Sequence, residues 1–227
     1  MKTIGILGGM GPRATADFNQ RIIEICQKRY NARKDSDFPP LIIYGFPVKG
    51  FDKTGIKNSK KVLNSLKKGI KILEKNKIDF IVIDCNTAHL YINKLRKLTK
   101  KPIISIIEEV YKKTKKYNAF GLLASQTTIN KGVYEKVFRD KKIIHPNKKQ
   151  ERSVTLVISN VMAGKNNEKD YEKLKKIMQD FSKKGAQAII IGCTELSILL
   201  RNKKFKIPLL DSTEILANAA IEKSKKL

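Results

Sequence analysis

Cysteine and histidine are scarce in this chain: Cys26, Cys85 and Cys193 are the only thiols, and His89 and His145 the only imidazoles, among 227 residues. Three thiols are too few and too odd in number for a disulfide framework, and a reducing compartment would keep them free. No apolar run approaches the roughly 18 residues needed to span a bilayer. The N-terminus passes from Met1-Lys2 straight into a strand without a signal-peptide layout, so a cytoplasmic protein with no membrane partner is expected. Acidic residues are also short, 21 against 48 basic ones, a formal charge of +27. The lysines recur in pairs along nearly every helix instead of forming one block with interleaved aromatics. That distribution predicts a solvated surface and no nucleic-acid partner, although it raises the concentration of small anions near any cleft.

What is present is an alternation of short β-branched runs with helical spacing. Strands are expected over 2–7, 41–44 and 80–83, with helices over 14–30, 59–75 and 87–98. The pattern then repeats with strands at 102–104, 119–123, 142–144 and 188–191 and helices over 106–116, 130–138, 150–162, 170–184 and 213–225. Such alternation implies an α/β fold of mostly parallel sheets with right-handed crossovers. We expect two similar lobes with a cleft between them: residues 1–98, completed by a C-terminal helix within 211–227, and residues 99–210. The Lys-Asn stretch 165–169 reads as a loop.

The best clue to chemistry is a repeated turn. Ile81-Val82-Ile83-Asp84-Cys85-Asn86-Thr87 and Ile189-Ile190-Ile191-Gly192-Cys193-Thr194-Glu195 each carry a thiol from a buried strand into a helix start. Open α/β sheets present ligand-binding groups there. A helix N-terminus also stabilises a thiolate, which predicts thiol pKa values lowered toward neutrality. Asp84 and Glu195 flank the thiols and could tune them; Cys26, inside a helix, reads as a small hydrophobe. A zinc site would draw on His89, and a Cys-His dyad is conceivable, but further ligands are lacking. A cysteine phosphatase would need arginine six positions on, where Tyr91 and Leu199 stand. The opening Gly5-Ile6-Leu7-Gly8-Gly9-Met10-Gly11-Pro12-Arg13-Ala14 formally contains the dinucleotide fingerprint, yet Pro12 lacks an amide hydrogen and no acid ends the second strand. A glycine turn approaching a small carboxylate fits better. Two thiols across a cleft suit inversion of a carbon centre, one removing a proton as the other supplies one to the opposite face.

Cys85-Asn86-Thr87-Ala88-His89, Gly192-Cys193-Thr194-Glu195-Leu196, the glycine-rich opening with Ala14-Thr15-Ala16, and Asp211-Ser212-Thr213-Glu214-Ile215 together make the chain resemble the cofactor-independent aspartate/glutamate racemases, aspartate racemase most closely. The resemblance spans essentially the whole chain. It implies two α/β lobes, Cys85 and Cys193 as proton donor and acceptor, no pyridoxal phosphate, no metal, and a homodimer. Carried over by position, Met10, Asn86, Thr87, Thr128 and Thr194 would hold the ammonium and α-carboxylate of an acidic amino acid, aspartate first and glutamate second. Two positions depart. Lys49 stands where an arginine is expected to grip the side-chain carboxylate, and Met162 where a lysine is common, with Lys165 able to compensate. A related isomerase or decarboxylase of small dicarboxylates, and a non-catalytic carboxylate binder, remain as alternatives. The role of His89 is open.

Overall fold

The computed structural model describes residues 1–52 and 54–225. Strand β1 (Ile4–Gly8) leads into helix α1 (Pro12–Tyr30), and β2 (Leu41–Gly45) into a hairpin of β3 (Phe51–Asp52) and β4 (Gly55–Ile56). Helix α2 (Ser59–Glu74), β5 (Phe80–Ile83), a 3-10 turn (Thr87–Tyr91), α3 (Ile92–Arg96), β6 (Ile103–Ile104) and α4 (Ile106–Lys112) follow. The remaining chain forms β7 (Ala119–Ala124), α5 (Gln126–Asn130), β8 (Lys142–Ile144), α6 (Lys148–Met162), α7 (Glu168–Lys183), β9 (Ala188–Gly192), α8 (Thr194–Leu200), β10 (Leu209–Asp211) and α9 (Ser212–Lys225).

Two parallel four-stranded sheets result, ordered β2-β1-β5-β6 and β10-β9-β7-β8. Counted in chain order within each sheet, the first read from β2 and the second from β8, both run second, first, third, fourth, so the chain builds one topology twice. Each cysteine turn follows the third strand, which lies inside its sheet. Side-chain alternation explains why these strands are apolar on both faces. Ile4, Ile6, Phe80 and Val82 from the first sheet join Phe120, Leu122 and Ile190 from the second in one shared cluster. Leu7, Ile81 and Ile83 face away, onto Val62, Leu66 and Ile70 of α2. Leu123, Ile189 and Ile191 likewise pack on α6 and α7 through Val154, Val157, Leu174 and Phe181.

Helix α1 buries Ala14, Phe18, Ile22 and Ile25, a stripe at helical spacing, and starts with Pro12 in its first turn. The final helix returns to that stripe with Leu216, Ala217, Ala220 and Ile221. Ser224 pins it further, its carbonyl accepting from Lys2 N at 2.8 Å. Between the two helices lies buried Arg21, which reaches Asp17 at 2.6 Å, Asp211 at 3.0 Å, Glu214 at 3.2 Å and the Ser197 carbonyl at 3.2 Å. Burial disfavours this guanidinium, but the Asp211 and Asp17 carboxylates outweigh it and raise its pKa.

Several local expectations are corrected. The first sheet runs past residue 98, because Ile103 and Ile104 pair in register with Ile81 and Val82. The helix expected over 130–138 forms earlier, at α5: Ser125 caps it, accepting from Thr128 N, and Gly132 at φ 57° ends it. The helix expected over 87–98 is a 3-10 turn followed by the short α3. The thiol turn at Cys85 is therefore tighter than an α-helical start.

Candidate active site

The two cysteine turns open into one cavity of about 310 Å³. Its walls come from segments just past the carboxyl ends of five strands: Met10 after β1, Pro47 after β2, Cys85 after β5, Ser125 after β7 and Cys193 after β9. Several bridges among the described residues hold the lobes together around it, two of them at its rim. Thr127 at the start of α5 donates its amide to Thr54 O at 3.2 Å and accepts from Ile56 N through its hydroxyl at 2.9 Å, docking the β3–β4 hairpin. Arg13 of α1 reaches Val161 O at 3.2 Å and Asn166 Oδ1 at 3.0 Å.

Of the residues singled out in the sequence, Cys85, Cys193, Met10, Asn86, Thr87 and Thr194 all line this cavity. Lys49 and Thr128 do not. Lys49 is exposed on the turn after β2. Thr128 is fully buried behind the lining, its hydroxyl 2.8 Å from that of Thr87 and 3.0 Å from that of Ser125. A 2.9 Å contact between Thr87 and Ser125 closes the triangle. Lys165 is exposed and likewise outside the lining, whereas Met162 is part of it.

Cys85 is 6 % exposed. Burial pushes its thiol up to about 12, against the opposing pull of the Ala88 and Thr87 amides, and the carboxyls of Glu195 and Asp84 push the same way. The expected lowering is thus reversed, because a short 3-10 turn supplies less than burial removes. His89 holds the turn. The Ile106 amide donates to His89 Nε2 at 3.1 Å, so the ring proton sits on Nδ1 and is donated to Cys85 O at 2.8 Å. Burial keeps this ring neutral, with a pKa lowered to about 4. With both nitrogens committed to backbone, His89 has no lone pair for a metal, and no other cluster of ligating side chains gathers among the described residues.

Cys193 is buried comparably, and its thiol donates to Glu195 Oε2 at 3.2 Å. Thr194 donates to the same oxygen at 3.2 Å. Burial and the adjoining negative Glu195 hold the Cys193 thiol well above its ordinary range, opposed by the Glu195 and Leu196 amides. Asp84, fully buried behind Cys85, has neither carboxyl oxygen hydrogen-bonded. Burial, then the charges of Glu195 and Asp17, raise its pKa well above the ordinary carboxylate range. Asn86 is spoken for at both ends of its amide: it donates to Ser212 Oγ at 3.0 Å and accepts from Tyr134 OH at 2.7 Å. It thereby ties the first thiol turn to the start of α9 and to the second lobe.

The glycine-rich turn lines the cavity on one side and packs tightly on the end of β2 at Gly9. Gly9, at φ 89°, has the Phe46 carbonyl 2.2 Å from where a Cβ would stand. Close approach to the end of β2 therefore accounts for the glycine, and a diphosphate is not needed to explain it.

The family model for Asp/Glu/hydantoin racemase matches residues 7–220. The chain belongs to that family. A broad-specificity amino-acid racemase of Bacillus subtilis (strain 168), RacX, is 30% identical over 224 residues, covering 96% of each chain. The structure of Picrophilus torridus aspartate racemase superposes with a TM-score of 0.83 at 26% identity, covering 100% of this chain and 96% of that one. An aspartate racemase homologue from Pyrococcus horikoshii gives 0.81 at 25% identity, with both chains fully covered.

This racemase, an isomerase by family, carries site residues that the sequence reading passed over. Ser125 enters the cavity as the cap of α5, and a Ser three residues before Thr128 at a strand end was the available signal. Phe51 and Asp52 enter through the β3–β4 hairpin, whose two-residue strands leave no periodic trace. Asp52 accepts from Thr54 N at 2.7 Å and from its hydroxyl at 2.6 Å, with Lys57 at 3.6 Å.

Proposed function

We propose that this racemase inverts the α-carbon of a free amino acid by two-base proton transfer between Cys85 and Cys193. One observation carries the reading: both thiols line a single cavity, from equivalent turns of two sheets that repeat one strand order. In each turnover one sulfur, as thiolate, takes the α-hydrogen and becomes a thiol, while the electron pair passes to the α-carbon and its carboxylate. The other thiol then delivers its proton to the opposite face and is left as thiolate, so the two sulfurs exchange protonation states. The return reaction swaps their roles.

Burial favours thiols, so the working thiolate needs compensation. Glu195 provides an acceptor for the Cys193 proton, and the substrate's ammonium brings a positive charge into a cavity whose charged lining is Glu195 and Asp52 among the described residues. Backbone amides of Thr87 and Ala88 at one sulfur, and of Glu195 and Leu196 at the other, stabilise whichever is ionised. Thr87, Ser125 and Thr194 supply hydroxyls for the α-carboxylate. Aspartate, the substrate implied by the resemblance, would need a cation for its second carboxylate. Lys49, the position the resemblance assigns to it, would have to fold inward from an exposed turn.

The homodimer and the cytoplasmic setting are part of this proposal on the resemblance alone; sedimentation of the purified chain tests the first. The activity itself is tested by incubating single L-amino acids and following loss of optical rotation. Racemisation of at least one, abolished by Cys85→Ser or Cys193→Ser, is expected. Full activity in either serine variant would refute the two-thiol reading.

A further inference from the structure

Away from the thiol turns and their hydroxyls, much of the cavity wall is apolar. Pro47, Val48 and Phe51 from the first lobe and Ile158 and Met162 from α6 of the second all line it. No lysine or arginine lines it among the described residues; its charged side chains there are Asp52 and Glu195, both acidic. A second carboxylate entering this space would meet two negative groups and lose its water with no cation to replace it. A cationic side chain fares little better. Asp52 is already held by Thr54 and Lys57, and Glu195 would have to be shared with the α-ammonium that every amino acid brings. Met162, on the last turn of α6 and half exposed, offers a pliable thioether at the mouth.

We propose that this site selects α-amino acids with uncharged aliphatic side chains, the size of leucine or methionine, over acidic and basic ones. The inference rests on the racemase reading and deepens it. The aliphatic chain packs between Phe51 and Val48 on one side and Ile158 and Met162 on the other, leaving the ammonium to Glu195 and the carboxylate to the hydroxyls. Burial of each methylene adds to binding, whereas each added charge subtracts.

The test measures kcat/KM for racemisation of L-methionine, L-leucine, L-aspartate, L-glutamate and L-lysine by the wild-type chain. Methionine or leucine is expected to exceed aspartate, glutamate and lysine by at least about tenfold. Aspartate, glutamate or lysine turned over as well as the aliphatic pair would overturn the specificity while leaving the racemase reading intact. No turnover of any of them, with no α-hydrogen exchange in deuterium oxide, would sink both. A Met162→Lys variant, altering a half-exposed residue outside the proton-transfer machinery, should raise the aspartate-to-methionine ratio about tenfold. An unchanged ratio would show that this wall does not meet the side chain.

Discussion

Cys193 and Glu195 are joined by a thiol-to-carboxylate hydrogen bond of 3.2 Å within one turn, so the second thiol has a proton acceptor built beside it. Cys85 is placed differently: its turn is held through its carbonyl by His89. The two thiol turns are equivalent in topology and unequal in the partners each offers its thiol.

Replacing Glu195 by glutamine keeps the shape and removes the acceptor. We expect kcat to fall by about 10²-fold, within the usual range for losing an acid or base, with the pH dependence of kcat displaced to lower pH, because the carboxylate that raises the Cys193 thiol is gone. A merely structural role would lower stability and leave the pH profile where it was.

Alkylation reports the thiols directly. With Cys85 pushed up to about 12, its thiolate fraction in the empty enzyme should rise about tenfold per pH unit between pH 7 and 9. Iodoacetamide labelling, followed by peptide mass spectrometry, should show that slope at Cys85. A plateau beginning near pH 8 would mean that the turn's amides win over burial after all.

His89 predicts an acid-side loss of stability. Its folded pKa of about 4 lies below the unfolded value of 6.5, so the unfolded chain binds the extra proton between them. The stabilisation is whole above pH 6.5 and drains as pH falls through about 4, amounting to about 3 kcal/mol at most. Asp84 has the opposite sign: with its pKa raised, its protonated form is favoured in the fold and stability declines as pH rises above the ordinary carboxylate range. Urea midpoints of wild type and His89→Gln should therefore converge as pH falls from 7 toward 4.5. Parallel curves would contradict the assignment.

Tyr134→Phe isolates the strut between the lobes. It removes the 2.7 Å donor to Asn86 Oδ1 and leaves that buried oxygen unpaired, at a cost of about 1–3 kcal/mol. Chemical denaturation measures it, and an unchanged midpoint would show that Asn86 turns to another partner.

Much of this was legible in the chain because strong apolar runs mark buried parallel strands: 80–83 and 142–144 match β5 and β8 residue for residue. The two thiol turns were legible for the same reason, each beginning where such a run ends. The environment of those thiols was not. A helix start beside cysteine suggests a low pKa, but burial depends on how two lobes close, which no local pattern records. The β3–β4 hairpin and β10 were missed because Phe51-Asp52, Gly55-Ile56 and Leu209-Leu210-Asp211 carry no β-branched run like Ile103-Ile104 or Ile143-Ile144. The aspartate expectation leaned on a cation after β2, and the lining there is Pro47, Val48, Phe51 and Asp52 instead.

The most direct test of two-thiol inversion is the fate of hydrogen in deuterium oxide, with one L-enantiomer supplied and the reaction stopped at about 5% conversion. Each thiol handles its own proton, so the D-product should carry deuterium at the α-carbon while the remaining L-substrate still carries hydrogen. Deuterium entering the unreacted L-substrate as fast as it appears in the product, or product that keeps the substrate's own hydrogen, would mean that a single base serves both faces.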